Sequence, residues 1–154
     1  MYIGFKAILA TAMTRQEYND YRGWVLPADE AHLANDEGYL VEYLDGGVAN
    51  HPKHKGYISW SPKAVFDQAY KANGQLGFAE VWQYLMLNPE VRIARSGWNG
   101  ANLHVTMWKH PEHSPMNDHP AIFNPKIQQY HSWVPSSADL CANDWLVISP
   151  VEEV

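Results

Sequence analysis

The stretch Arg95-Ser96-Gly97-Trp98-Asn99-Gly100 predicts a β-hairpin, and the fold can be worked out from it in both directions. Asn99-Gly100 is a strong signal for a tight hairpin turn, in which both central residues take a positive φ. The predicted strands are residues 91–95 and 103–108, and side chains in the second strand alternate between apolar and polar. Trp98 has few neighbours of its own at such a turn. It must therefore contact another part of the chain, a second subunit or a flat ligand.

A second tryptophan-rich stretch precedes the last predicted strand. It reads Trp133-Val134-Pro135-Ser136-Ser137-Ala138-Asp139-Leu140-Cys141-Ala142-Asn143-Asp144-Trp145. Ser136 or Ser137 is expected to cap a short helix, and the apolar residues 145–148 are expected to close the sheet. Three more elements complete this half of the chain: an amphipathic helix over residues 77–87, a loop over 109–125 and a strand over 127–134.

The first half of the chain predicts a similar set of elements. Thr14-Arg15-Gln16-Glu17 has the capping-box pattern and predicts a helix that runs through Tyr21. Ser61 and Pro62 predict the start of another helix, with the serine at the cap and the proline at the first helical position. Asn73-Gly74 is expected to end that helix. The predicted strands are residues 2–12, 38–44 and 57–60.

These elements predict an α+β protein that consists of two small units, each an antiparallel sheet with helices packed on it. The expected units are residues 1–74 and 75–154, joined near Asn73-Gly74. The chain carries seven tryptophans and nine tyrosines among 154 residues, a large aromatic load for its length. Exposed aromatic surface is commonly covered by self-association, so an oligomer is also expected.

The composition describes a globular protein. Hydrophobic residues make up 46% of the chain and charged residues 18%, which argues against disorder. No apolar run is long enough to cross a bilayer and no leader is apparent, so we expect a cytoplasmic protein without a membrane partner. The net charge of −6 argues against a protein that binds DNA, because binding the duplex requires clustered lysine and arginine.

Arg95 lies at the end of the core-facing row of its predicted strand. Residues 91, 93 and 95 share one face, and the first two are apolar. An unpaired buried guanidinium costs roughly 3–5 kcal/mol, so Arg95 needs a carboxylate or a phosphate. Asp139 and Asp144 are the internal candidates, and a phosphate of a ligand is the alternative.

Trp98 and Trp133 admit two interpretations. A tryptophan taken alone is more often part of a core than a platform for a ligand. Both nevertheless lie beside glycine, asparagine, serine and aspartate, and a nucleobase that stacks on an aromatic face gains about 1–3 kcal/mol. In that interpretation Asn99 and Asp139 bind the edge of the base, and Ser136 donates to a phosphate at the start of the helix. The structural alternative for the serine is helix capping.

The eight histidines raise the question of a metal site. His51-x-x-His54 and His110-x-x-His113 are paired in loops, without acidic ligands in a recognisable pattern, so we predict no metal and no cofactor. A Gly-rich phosphate loop, a nucleophile elbow and an HExxH motif are all absent from the sequence, and no catalytic residue is predicted. The single cysteine, Cys141, excludes an internal disulfide framework and is predicted to be a buried, inert thiol.

The two tryptophan-rich stretches resemble a known family. Residues 76–148 are similar to Thoeris anti-defence protein 2, a family of small phage-encoded proteins. The resemblance rests on Gly77-Phe78-Ala79-Glu80 with Leu85, on Val91-x-x-x-Arg95-x-Gly97-Trp98-Asn99-Gly100, and on Trp133-x-Pro135-Ser136-x-x-Asp139-Leu140-x-Ala142-x-Asp144-Trp145. The first half resembles a small module of phage proteins with no assigned activity, through residues 13–24, 38–41 and 56–62.

This resemblance implies sequestration rather than catalysis. Proteins of the family bind the cyclic nucleotide messenger of a bacterial immune system, a glycocyclic ADP-ribose isomer made by a TIR-domain enzyme, and some also bind cyclic dinucleotides. They hold the messenger intact in the cytoplasm of the infected host, and the downstream effector stays silent. The family forms homotetramers whose ligand pockets lie at subunit interfaces.

Carried over by motif, the resemblance implies a ligand site made of Arg95, Trp98, Asn99, Gly100, Trp133, Ser136 and Asp139. Trp98 would stack on a base, and the asparagine and glycine after it would supply polar and backbone contacts. Ser136 and Asp139 would add hydrogen bonds, and Arg95 would lie beside the phosphates or brace the site. The segment over residues 109–116 is shorter than in many members, which leaves the preferred messenger open.

Two alternatives remain open from the sequence. One is an enzyme that hydrolyses the same messenger with histidines from residues 104–131 as acid and base. The other is a phage structural or interaction module without a small ligand, in which the tryptophans only form a subunit interface.

Overall fold

The chain folds into two compact units, Met1–Tyr70 and Lys71–Val154, in a computed structural model that describes residues 1, 4–112, 114 and 116–148. The strands are β1 (Ile8–Ala12), β2 (Gly38–Tyr43), β3 (Tyr57–Pro62), β4 (Arg92–Arg95), β5 (His104–Trp108), β6 (His119–Asn124), β7 (Gln129–Ser132) and β8 (Trp145–Ile148). The helices are α1 (Arg15–Arg22), α2 (Lys63–Ala69), α3 (Phe78–Leu87) and α4 (Ser137–Leu140), with a 3₁₀ helix at Ala28–Leu33. In this described part of the chain, no helix has the length and apolar character needed to cross a membrane.

Both sheets are antiparallel, which confirms the predicted α+β class. The first unit contains a three-stranded sheet in the order β1-β2-β3, and the second a five-stranded sheet in the order β7-β6-β5-β4-β8. The sequence-adjacent strands β4 and β5 pair as the predicted hairpin, with Ile93 opposite Val105. The last strand, β8, lies on the other side of β4, so the chain returns to the sheet beside the strand that carries Arg95.

Helix α1 begins and ends where its sequence indicates. The hydroxyl of Thr14 accepts a hydrogen bond from the backbone N–H of Glu17 at 3.2 Å, and the Glu17 carboxylate accepts one from the Thr14 N–H at 2.7 Å. This is the predicted capping box. Gly23 ends the helix in the left-handed conformation, with φ of 70°, which costs a glycine little. The buried Tyr18 then packs the helix against β2 and β3.

A buried carboxylate organises the loop that joins β2 to β3. Glu42 of β2 is 8% exposed and accepts hydrogen bonds from His54 Nδ1 at 2.7 Å and from the backbone N–H groups of Lys55 and Gly56. The hydrogen bond from His54 is the main reason that the pKa of Glu42 lies below its usual value. The other ring nitrogen of His54 contacts the hydroxyl of Tyr21 at 2.9 Å, so the histidine joins α1 to the sheet.

The core of the second unit lies between α3 and the five-stranded sheet. Val81 and Leu85, one turn apart on α3, are fully buried, as the predicted amphipathic pattern requires. They pack with Ile93 of β4, Val105 of β5 and Trp145 of β8, which are also fully buried. Burying one such aliphatic side chain is worth about 1.5–3 kcal/mol, so α3 is firmly attached to the strands that carry the two tryptophan-rich stretches.

The outer edge of β8 is covered by the first residues of the second unit. The side-chain amide of Asn73 donates to the carbonyl of Val147 at 2.9 Å and accepts from its N–H at 2.7 Å. The N–H groups of Gly74 and Leu76 both donate to the carbonyl of Trp145. These bonds satisfy backbone groups that an edge strand otherwise exposes.

Several predicted boundaries in the first half are wrong. The first strand is Ile8–Ala12 rather than residues 2–12; Tyr2 and Ile3 lie outside the described residues. Strand β3 continues through Pro62, which is the N-cap of α2, so the helix begins at Lys63. It ends at Ala69, because Tyr70 is already extended with φ of −130°. Residues 73–74 do not end this helix, since they are bonded to β8 instead.

The predicted loop over residues 109–125 contains a strand, β6 (His119–Asn124), which is a further correction. Pro120 obscured it, because a residue without an N–H group is uncommon inside a sheet. Here the carbonyl of Pro120 accepts the N–H of Trp133 at 2.9 Å, and β6 pairs with β5 and β7. The next predicted strand, residues 127–134, is confined to Gln129–Ser132.

Candidate functional site

The two tryptophan-rich stretches meet at Arg95. Its Nε donates to Asp144 Oδ1 at 2.8 Å and its Nη1 to Asp139 Oδ1 at 3.1 Å, which confirms the internal carboxylates as partners of this arginine. The hydrogen bond with Asp144, followed by that with Asp139, holds the pKa of Arg95 above its usual value. One guanidinium with two carboxylates carries a net charge of −1. A ligand phosphate that approached Arg95 directly would therefore meet a site that is already negative.

Asp144 also fixes the loop that follows β4. Its Oδ2 accepts the N–H of Gly97 at 2.9 Å and the hydroxyl of Ser96 at 3.4 Å, while its backbone carbonyl accepts the N–H of Ser96. The hydrogen bond from Arg95 is the largest cause of the lowered pKa of Asp144. The second stretch therefore determines the backbone path at the start of the hairpin loop.

This contact explains why the predicted tight turn at Asn99-Gly100 is wrong. The loop from β4 to β5 spans residues 96–103, and its positive φ angles are at Gly100, 149°, and Asn102, 67°, rather than at Asn99 and Gly100. A two-residue turn at Asn99-Gly100 would keep the two strands paired as far as Trp98 and Ala101. The bonds from residues 96–97 to Asp144 instead extend the loop sideways toward the second stretch.

Ser136 and Asp139 cap α4 reciprocally. The Ser136 hydroxyl accepts the N–H of Asp139 at 3.2 Å, and Asp139 Oδ2 accepts the N–H of Ser136 at 2.9 Å and its hydroxyl at 2.7 Å. Burial opposes ionisation of Asp139, but the bonds from Ser136, and then those from Arg95 and Trp98, keep its pKa below the usual value. The capping interpretation of Ser136 is confirmed, and Asp139 links the cap to the arginine.

Five rings form an aromatic cluster beneath this polar arrangement: Phe78, Trp82, Trp98, Trp133 and Trp145. Trp98 meets Trp145 edge-on with centroids 5.4 Å apart and Trp133 at 6.3 Å, which are favourable aromatic geometries. Trp145 is fully buried, and its indole N–H donates to the carbonyl of Asp139 at 3.0 Å. Trp133 is 9% exposed and is thus part of the core of its own chain.

Trp98 is the member of the cluster that lies on the loop between β4 and β5. It is partly buried, and its backbone N–H donates to the carbonyl of Arg95 at 3.1 Å. Asn99 and Gly100 follow it in exposed positions. Within the described residues, no hydrogen bond joins those two to the second stretch.

The structure thus brings together five of the seven residues expected to form the ligand site: Arg95, Trp98, Trp133, Ser136 and Asp139. Asn99 and Gly100 follow Trp98 in exposed loop positions and, within the described residues, form no hydrogen bond with the other five. Asp144 belongs to the arrangement as well, although the sequence indicated it only as a partner for Arg95. The sequence did contain a signal for this role. Asp144 directly precedes the buried Trp145, and a carboxylate next to a core residue needs a hydrogen-bond donor nearby.

Two cavities lie elsewhere. One, of about 270 Å³, is lined in the second unit by Trp82, Met86, Pro89, Met107, Lys109, Asp118 and Pro120. The other, of about 370 Å³, is in the first unit. Neither is lined by any of the seven residues expected from the sequence to form the ligand site.

Several of the described histidines form small hydrogen-bonded groups. The buried His104 contacts the Asn102 carbonyl at 2.7 Å and the Tyr130 hydroxyl at 3.1 Å, and burial lowers its pKa. His110 contacts His119 at 3.1 Å, and His119 contacts the Ser132 hydroxyl at 3.1 Å. His113 of the His110-x-x-His113 pair lies outside the described residues. The described side chains contain no group of three or more metal-binding residues that could hold an ion.

Cys141 is exposed, which contradicts the predicted buried thiol. Helix α4 is only four residues long, and Cys141 is its C-cap rather than a residue on an apolar face. The buried residue near this end of the second stretch is Trp145.

Comparison with known proteins identifies the segment that contains this arrangement. Residues 76–148 match the family model described as Tad2-like, the Thoeris anti-defense 2-like domain, which confirms the resemblance for this segment. The matched range contains all of the residues expected to form the ligand site, together with Asp144. No curated protein matched the chain.

Proposed function

We propose that this chain, whose residues 76–148 match the family model of the Thoeris anti-defense 2-like domain, sequesters the cyclic nucleotide messenger of a bacterial immune system without cleaving it. The family match supports an anti-defence role for a phage protein, acting in the cytoplasm of the infected host. The proposed ligand is a glycocyclic ADP-ribose isomer made by a TIR-domain enzyme, with cyclic dinucleotides as a second class. One observation carries the proposal: the match covers both stretches that meet at Arg95.

Trp98 is the proposed stacking surface. Like Phe78 and Trp82 it is a partly exposed member of the aromatic cluster, but it alone of the three belongs to a tryptophan-rich stretch, and its edge-on contacts with Trp133 and Trp145 hold the ring in place. A ring that is held before the ligand arrives loses little conformational freedom on binding, which favours affinity. Asn99 and Gly100, exposed next to it, are placed to supply an amide and a backbone N–H.

Arg95 is proposed to brace the site rather than to bind a phosphate. Asp139 and Asp144 already occupy its Nη1 and Nε. The phosphates of the messenger would then be bound by neutral donors of the hairpin loop and by cations from another copy of the chain. Neutral backbone donors suit an anion in a partly enclosed site, as at many phosphate-binding loops.

A homotetramer with the ligand between copies fits this arrangement. The expected site lies outside both cavities described above, and only part of it is exposed. Two large apolar residues of the second stretch are exposed beside it, Val134 at 84% and Leu140 at 51%. Apolar side chains exposed around a functional site are typical of a surface that another subunit covers.

The two aspartates that bind Arg95 are poorly suited to act as the acid of a hydrolase, whereas the histidines of residues 104–131 are tested by the recovery of intact ligand described below. General acid–base catalysis at neutral pH works best with groups whose pKa lies near 7. The pKa of Asp139 and that of Asp144 are both held below the usual value for aspartate by their hydrogen bonds. Neither is therefore suited to donate a proton to a leaving group.

The test is calorimetric titration of the purified chain with glycocyclic ADP-ribose isomers and cyclic dinucleotides, followed by heat release and chromatography of the ligand. We expect tight binding of one messenger, recovered unchanged. Trp98→Ala should weaken binding by about fivefold to 150-fold, since stacking of one base is worth about 1–3 kcal/mol. Trp108→Ala is the matched control, because Trp108 is exposed and stands outside the aromatic cluster. Recovery of a converted product would contradict sequestration.

An interaction module without a small ligand is the second candidate. It is favoured by the internal use of Arg95, Ser136 and Asp139, whose polar groups are bonded to one another. In that case no messenger would bind, and Trp98→Ala would dissociate the oligomer. Analytical ultracentrifugation of wild type and variant distinguishes this candidate from sequestration, in which the variant stays assembled.

A further inference from the structure

The cavity of about 370 Å³ in the first unit has no part in the function proposed above. Its wall includes Arg15, Tyr18, Arg22, Trp24, Tyr57 and Trp60. The volume falls within the range of small-molecule sites, about 300–1,000 Å³. Every lining residue belongs to the first unit, so an inference about it does not depend on the messenger site.

Arg22 is a cation without a counter-charge at this cavity. Its Nη1 is buried and has no hydrogen-bond partner, alone in this respect among the side-chain nitrogen and oxygen atoms of the described residues. The ion pairs found in the described part of the chain do not include Arg22. A buried guanidinium nitrogen without an acceptor is destabilising unless something else supplies one.

Arg15, seven residues earlier and on the same face of α1, shows the contrasting case. It forms an ion pair with Glu30, and its guanidinium lies 5.8 Å from the ring centre of Trp60. The chain therefore neutralises one of the two arginines of the cavity and leaves the other unpaired. No acidic residue lines the cavity, so its field is set by Arg22.

Flat rings surround that positive charge. The Arg22 guanidinium lies 4.3 Å from the ring centre of Trp24, which orients it by a cation–π contact. Trp24 is 52% exposed and Tyr57 is 46% exposed, so both retain surface on which a planar group can stack. Asn19 and Ser59 add polar groups to the wall.

We propose that this cavity binds a small organic anion that carries a planar ring, with the anionic group at Arg22 and the ring against Trp24 or Tyr57. The anionic group is a phosphate or a carboxylate, since a guanidinium binds both in the same bidentate manner. The first unit is then a second ligand-binding module rather than a spacer.

The test titrates the full-length chain by calorimetry with adenosine 5′-monophosphate as the phosphate probe and indole-3-acetate as the carboxylate probe. Adenosine lacks the negative charge, and ribose 5-phosphate lacks the planar base, so these two are the matched controls. We expect one or both ring-bearing anions to bind at least tenfold more tightly than either control. The preferred probe identifies the anionic group.

Variants locate the site. Arg22→Gln should weaken binding at least tenfold, and Lys55→Gln, an equal loss of charge at an exposed position of the same unit, should change it less than twofold. Trp98→Ala should leave binding of the ring-bearing anion unchanged, which separates this cavity from the messenger site. Because Arg22 Nη1 donates to no acceptor within the described part of the protein, Arg22→Gln breaks no ion pair found there, and its melting temperature without ligand checks that the variant is folded.

Three results would overturn the proposal. They are no binding of either ring-bearing anion at millimolar concentration, wild-type affinity in Arg22→Gln, and ribose 5-phosphate or adenosine binding as tightly as the nucleotide. A failure of the messenger titration would leave this test unaffected, since the cavity is lined by residues of the first unit only.

Discussion

At the scale of single residues, Asp144 connects the most parts of the site. Its carboxylate bonds to Arg95 Nε and to the N–H of Gly97. Asp144→Asn should destabilise the second unit by about 1–2 kcal/mol, less than for a fully buried ion pair because both side chains retain some exposure. Urea unfolding followed by tryptophan fluorescence measures the change. Glu90→Gln, at an exposed position, is the control, and equal midpoints for the two variants would refute the role given to Asp144.

The two aspartates also predict a dependence of stability on pH. The pKa of each is lower in the folded chain than the unfolded value of about 3.9, so their contribution is complete above that value and is lost as pH falls through the folded pKa. Wild type should therefore lose more stability than Asp144→Asn on going from pH 5 to about pH 3. Melting temperatures across this range test the prediction, and parallel curves would contradict it. Other carboxylates, such as Glu42, titrate in both proteins and cancel in the comparison.

Predictions for single residues succeeded where the alternation of side chains between the two faces of a strand determined the outcome. The parity of residues 91–95 indicated that Arg95 needs an acceptor, and Asp139 and Asp144 supply it. The turn at Asn99-Gly100 failed because a contact 47 residues away in sequence, between Gly97 and Asp144, determines the loop. No local pattern contains such a contact. Whether the seven expected residues bind a ligand stays a prediction.

At the scale of elements, the capping box of α4 provides a matched pair of variants. Ser136→Ala removes the cap of α4 and a hydrogen bond to Asp139, and should cost about 1 kcal/mol. Ser137→Ala changes the first helical residue, which is exposed, and should be close to neutral. Urea unfolding of both variants measures the difference. Equal losses would show that the cap of so short a helix contributes nothing of its own.

Elements with their own local signals were predictable. The cap at Thr14 and the apolar spacing along α3 identified their helices within a residue or two. Strand β6 was missed because Pro120 interrupts the run of strand-forming residues. Its pairing with β5 and β7 depends on tertiary structure, which the local sequence does not show. The end of α2 was misplaced for the same reason, since Asn73 and Gly74 bond to β8 instead of terminating a helix.

At the scale of the whole molecule, each unit has a core of its own. The core around Tyr18, Leu40 and Ile58 draws only on the first unit, and the core around Trp145 only on the second. A specific protease site inserted between Tyr70 and Lys71 should therefore yield two folded fragments after cleavage. The second should retain messenger binding, and the first should retain binding of the ring-bearing anion.

Gel filtration and calorimetry of the separated fragments test this expectation, with the uncut insertion variant as control. Aggregation of the second fragment, or loss of its ligand affinity, would show that the first unit supports it. The sequence indicated two antiparallel units from the spacing of turns and caps. It indicated Asp139 and Asp144 as candidate partners of Arg95, but not that both would bind it at the same time, because that depends on three segments of the chain meeting in space.

The hydrogen bonds between residues 73–76 and β8 have a consequence for how such a protein evolves. Asn73 and Leu76 complete the sheet of their own unit, so the segment that begins the unit also seals its exposed edge. A recombination event upstream of Asn73 would exchange the preceding module while leaving that seal intact. One that fell after Leu76 would expose an unpaired strand to aggregation. Residues 73–76 therefore mark the limit for recombination in the gene. Upstream of them, one module can replace another while the downstream unit keeps every strand of its sheet paired.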